Sequence, residues 1–168
     1  VWKAFKHVNI AFSIDDIESR NEYQRYLSNW NLIKKNLAKY KALQSMNLSF
    51  SIFPTVNIQN ILYMPEFIIE MCEYNWPIHF NLLTDPAELS IFQMPQNVQE
   101  LILEKFSKYN IPMLAKLAEA VEHAQINNDV TATLKYLNDI DDVRSIASLS
   151  RRFVADHPEM DAALRKNT

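Results

Sequence analysis

Three short stretches of this chain alternate apolar and polar side chains, and all three follow one design. The first, HVNIAFSIDD from His7 to Asp16, sets Val8, Ile10, Phe12 and Ile14 against Asn9, Ala11, Ser13 and Asp15. A period of two assigns the two sets to opposite faces of a strand. Asn47 to Pro54 does the same with Leu48, Phe50 and Ile52 against Ser49, Ser51 and Phe53. Ile78 to Leu83 does it a third time with Ile78, Phe80 and Leu82 against His79, Asn81 and Leu83.

Helical patterns fill the gaps. Trp30, Ile33, Leu37 and Tyr40 fall at helical spacing and predict a helix over 30–43, capped by Ser28 or Asn29 and faced outward by Lys34, Lys35, Lys39 and Lys41. A second helix starts at Pro65 and buries Phe67, Ile68, Met71 and Cys72. The order strand, helix, strand, helix, strand suits right-handed parallel crossovers. One face of each strand stays polar: Asn9, Ser13, Asp15, Ser49, Ser51, His79 and Asn81. A doubly wound sheet covers both faces with helices and wants apolar residues on both. A polar face instead predicts a lumen, as in a barrel or part of one. Three strands cannot close a barrel, and VWKAFK reads as the tail of a helix entering a strand, so further strands are expected upstream of Val1.

After Pro86 the strand signals stop. Amphipathic patterns predict helices over 95–109, 112–126, 129–137 (capped by Asp129) and 142–155, with Ile146, Leu149, Phe153 and Val154 apolar in the last. The expected organisation is therefore α/β: residues 1–85 as the C-terminal half of a partial barrel, and 86–168 as a helical extension packed on it.

Composition removes several function classes. The chain has no glycine in 168 residues, where average usage would give roughly 12. That excludes a P-loop, a dinucleotide fingerprint and the usual nucleophile elbow. Left-handed helix ends must fall on other residues, with Asn47, Asn75, Asn110 and Asn127 at plausible positions. A net charge of −3 supplies no field for nucleic acid or an anionic membrane. No apolar run approaches the roughly 20 residues of a membrane span. The single Cys72 excludes an internal disulfide and suits a reducing, cytoplasmic setting.

In parallel α/β architectures ligands bind at the C-terminal ends of the strands. Those ends carry Ser13, Asp15 and Asp16, then Thr55 and Asn57, then Asn81 and Thr84. Turn chemistry alone accounts for such residues equally well. A Ser13/His79/Asp15 triad lacks an elbow to expose the serine. His79 has no second histidine nearby to share a metal, and Asp15 and Asp16 point to opposite faces, which disfavours joint Mg²⁺ coordination.

The run HVNIAFSIDD, then EYQRYLSNW and a Lys-rich helix, then FSIFPTVNIQNILYMPEF and HFNLLTDP, resembles the twitch-domain-containing group of radical S-adenosylmethionine (SAM) proteins. There the fourth strand ends in Ser-Ile-Asp-Gly and the following loop carries Tyr-x-Arg. This chain has Ser13-Ile14-Asp15-Asp16 and Tyr23-Gln24-Arg25, and the likeness covers about residues 1–110. The resemblance implies a (β/α)6 partial TIM-like barrel. It also implies a 4Fe–4S cluster on an upstream CxxxCxxC loop, and SAM across the strand ends. It casts Ser13 and Asp15 toward the ribose or methionyl part, Arg25 toward the SAM carboxylate, and Asn57 and Asn81 as further cofactor contacts. Related families act on peptides or proteins, so such a substrate is implied. The chain departs from the pattern at Asp16, where the family has Gly, and in having no cysteine triplet; alone it is expected to be inactive. The alternative is a non-catalytic α/β binding module whose helical tail meets a partner.

Overall fold

The computed structural model describes residues 4–43, 47–146 and 153–168. In chain order the elements are β1 (Val8–Phe12), α1 (Glu18–Gln24), α2 (Trp30–Leu43), β2 (Leu48–Ile52), β3 (Thr55–Val56), α3 (Met64–Cys72), β4 (Asn81–Leu82), β5 (Gln93–Met94), α4 (Gln96–Ser107), α5 (Leu114–Glu122), β6 (Gln125–Ile126), α6 (Thr131–Ile146), α7 (Phe153–Asp156) and α8 (Pro158–Arg165). They belong to two compact units. One comprises 1–55 and 66–81, the other 56–65 and 82–168.

In the first unit β1 and β2 pair in parallel, Val8 opposite Leu48 through Phe12 opposite Ile52. Burial alternates along β1, with Val8, Ile10 and Phe12 half-buried and Asn9 and Ala11 exposed. Along β2 Leu48, Phe50 and Ile52 are buried as predicted, but Ser51 on the polar side is buried with them. Helix α2 connects the strands over the predicted residues. Its first turn is held by Asn29, whose Oδ1 accepts the Leu32 N–H at 2.9 Å, and by Glu22, whose carboxylate accepts the Trp30 N–H at 2.6 Å. An aromatic cluster fills the apolar side: Phe12, Tyr40, Phe50, Tyr74 and Trp76 have ring centroids 4.9–5.8 Å apart.

The predicted half barrel does not form. The sheets are two-stranded, and the third predicted strand is reduced to a bridge between Ile52 and Ile78 and a pairing of β3 with β4. Two prolines account for this. The Ile52 N–H donates to Pro77 O, and the His79 N–H to Ile52 O, both at 2.8 Å; the Asn81 N–H then reaches Pro54 O at 2.9 Å. In that parallel register the remaining rungs need amide donors at 54 and 77. Both positions are proline and have no N–H to give.

Other expectations need correction. The segment after β1, where the resemblance implied a loop carrying Tyr-x-Arg, contains α1. Cys72 ends its helix exposed, not buried. Of the asparagines proposed for left-handed backbone, Asn75 has φ 55°, closing α3; Glu18 and Leu27 also take positive φ.

The second unit is mostly helical, but strand pairing does not stop at Pro86: β5 and β6 pair in parallel, which ends α5 before Gln125. Asp129 caps as predicted, its carboxylate accepting the Thr131 N–H at 3.0 Å. Helix α6 runs past 137 to Ile146 and absorbs the start predicted for the next helix. Of that predicted helix, residues 147–152, including Leu149, lie outside the described residues, as do Val1 to Lys3 at the start. Phe153 is buried and Val154 exposed. The core of the unit gathers Ile91, Val98, Ile102, Leu117, Val121 and Met160.

Candidate functional site

The C-terminal end of β1 leads directly into the three residues on which the sequence argument rested. Ser13 is exposed beyond the last paired residue. Ile14, Asp15 and Asp16 then turn inward and are buried. A buried carboxylate needs partners, and each of the two aspartates finds its own set.

Asp15 links the ends of the two strands. Its Oδ1 accepts the Thr55 N–H at 2.8 Å, just beyond β2. Its Oδ2 lies 2.8 Å from the Arg25 Nε, an ion pair and not a well-aligned hydrogen bond. The Arg25 side chain remains 37% exposed. Ser13, Asp15 and Arg25 therefore belong to one corner of the first unit. Both Asp15 oxygens are engaged by protein groups, so the carboxylate orients Arg25 instead of facing a ligand directly.

Asp16, fully buried, has a separate set of partners. Its Oδ1 accepts the Ile17 N–H at 2.7 Å, and the Arg20 Nε lies 3.1 Å from both its oxygens. Burial pushes its carboxyl up to about 7, against the Arg20 charge and hydrogen bond and the Ile17 N–H; the nearby Glu66 charge adds to the rise. This carboxylate, at the position where the radical SAM pattern would have glycine, is thus paired with Arg20.

The remaining predicted contacts are placed differently. Asn81 is exposed on β4 in the first unit, and its N–H serves the bond to Pro54. Asn57 belongs to the second unit and is buried in a turn: its Oδ1 accepts the Gln59 N–H at 2.8 Å, and its own N–H donates to Asn60 Oδ1 at 2.9 Å. That is a side chain mimicking a backbone turn. The sequence reading missed the Asp15–Thr55 link and the role of Arg20. A signal for the second was present, since Asp16 and Arg20 stand four apart on what becomes the entry to α1.

Among the described residues no group of three or more His, Cys, Asp or Glu could hold a metal ion. These residues do not fit a 4Fe–4S cluster. They do offer a partly exposed arginine side chain, that of Arg25, and an exposed serine, Ser13, after one strand end, groups whose chemistry fits the carboxylate and polar groups of a SAM-like ligand. No helix among the described residues is long and apolar enough to cross a membrane. No family model, curated protein or solved structure matches the chain.

Proposed function

We propose that this chain supplies SAM-binding strand ends to a radical SAM enzyme, with the ligands of the 4Fe–4S cluster furnished by other residues. The observation that carries this reading is the Asp15–Arg25 pair at 2.8 Å beside exposed Ser13, at the end of a parallel strand. A carboxylate that holds a guanidinium in place leaves its remaining N–H groups in fork geometry for a second carboxylate, here that of the methionyl group. Ser13 is placed to give and accept one hydrogen bond. Asp15 is a positioning residue for Arg25, and its amide link to Thr55 ties that position to the end of β2. In such an enzyme the cluster, held by other residues, would give one electron to SAM, releasing methionine and a 5′-deoxyadenosyl radical for hydrogen-atom abstraction. A peptide or protein substrate is part of the same proposal and rests on the family likeness alone.

The test is calorimetric titration of the chain with SAM and with 5′-methylthioadenosine, which lacks the amino-acid carboxylate. Arg25→Ala is expected to weaken SAM by at least about tenfold, the size of one charge-assisted contact, and to leave methylthioadenosine unchanged. No SAM binding by the folded chain, or equal effects on both ligands, would reject the reading in favour of a non-catalytic binding module.

A further inference from the structure

The polar face of the strands holds more than the end of β1. Toward the strand starts, in the first unit, lies an open groove of about 510 Å³ lined by His7, Asn9, Ser49, Ser51 and His79 and by the segment Asn75–Pro77 that precedes the Ile78 bridge. This size is that of a small-molecule site. We infer that this groove binds a small neutral polyhydroxylated ligand, of the size and chemistry of a monosaccharide or cyclic polyol.

The first observation is Ser51. The residue is 4% exposed, lines the groove, and its Oγ has no hydrogen-bond partner. A buried hydroxyl without a partner has lost its bonds to water and gained none in return. Its neighbour across the strands is Ala11, which offers it nothing. An incoming group that both donates and accepts would satisfy it, and an alcohol does both.

The second observation comes from the backbone. The register set by the Ile52–Pro77 and His79–Ile52 bonds aims the Phe50 carbonyl at position 77. Pro77 has no N–H, so that rung of the ladder has no donor at the place where Phe50 and Pro77 line the groove. A ligand O–H can supply one.

The third is the order of the remaining groups. Ser49 Oγ gives its one proton to Asn9 Oδ1 at 3.3 Å. Ser49 Oγ also lies 3.2 Å from His7 Nε2, and an imidazole nitrogen can donate or accept. The Asn9 amide keeps its N–H donors. The groove therefore presents donors and acceptors together. No Asp, Glu, Lys or Arg is among its described lining residues, which leaves the imidazoles of His7 and His79 as its ionisable groups. Neutral hydroxyls match a lining without a permanent charge. This inference is independent of the SAM proposal, which concerns the far end of the same strands.

The test is amide chemical-shift mapping on the full chain with D-glucose and myo-inositol as neutral probes and gluconate as the charged control. The expected result is saturable shifts at Ser49, Ser51 and His79 below about 50 mM, where even a millimolar site fills, and at least a tenfold weaker effect with gluconate. Ser51→Ala, judged folded by its own amide spectrum, is expected to weaken binding at least tenfold. Asn9→Ala, at an exposed position, is expected to weaken it severalfold. No saturable shift with either neutral probe, shifts clustered elsewhere, or affinities unchanged in both variants would overturn the inference.

Discussion

Asp15 and Asp16 are chemically identical neighbours with different fates, decided by the partners each meets where the chain leaves β1. Asp15 ties Thr55 and Arg25 at one strand end, whereas Asp16 is enclosed against Arg20. For Asp16 the consequence is a pH dependence of stability. Its folded pKa, about 7, lies above its unfolded value, so between roughly pH 4 and 7 the unfolded chain has lost this proton while the folded chain retains it. Stability therefore falls as pH rises through that window, by at most about 1.4 kcal/mol per pH unit from this group, and levels off above it. Urea melts from pH 4 to 8 should show that fall, and Asp16→Asn should flatten it. An unchanged slope in the variant would mean that the burial of Asp16 is not its source. The two carboxylates were visible in the sequence as a pair, although β1 ends at Phe12, before either of them. Their partners were not, because Thr55 lies 40 positions from Asp15.

At the scale of elements, α2 and the pair β1–β2 follow from periodicity and capping; α2 and β2 form within a residue or two of the expected bounds, whereas β1 ends at Phe12, four residues short of the expected Asp16. The third strand shows what periodicity leaves out. Ile78 to Leu83 alternates as well as the other two, yet a ladder also needs a donor at every second residue. Pro54 and Pro77 remove two of them. Pro77→Ala restores a donor opposite Phe50 O. Hydrogen exchange should find the new amide at 77 protected at least about tenfold over its unfolded rate, a local opening cost of roughly 1 kcal/mol or more. Exchange at the unfolded rate would mean that the rung does not close. The same logic separates α5 from its predicted length. Gln125 and Ile126 read as a helix end, but Gln125 donates its N–H to Phe92 O and opens a strand pair. A partner 33 positions away is invisible to a window of local periodicity.

For the molecule as a whole, the open edge of β1 matters most. Val8 and Phe12 use their backbone groups on β2, so those of Asn9 and Ala11 face the other edge. Among the described residues no strand pairs there, and β1 contains neither proline nor lysine to deter one. Light scattering should show self-association that rises with concentration. Ala11→Lys, which places a charge on the exposed side of that edge, should suppress it. A monodisperse monomer across the accessible range would refute the argument. The sequence by itself determined the α/β alternation, the polar strand face, the helix starts at Asn29 and Asp129, and the absence of every glycine-dependent phosphate site, because each depends on residues within one or two turns of each other. Only the tertiary structure decided that the sheets stop at two strands, that Asp15 is engaged with Thr55 and Arg25, and that Ser51 is buried without a partner beside a groove. Those outcomes depend on which backbone donors and side chains from distant segments meet, and local pattern carries no term for that.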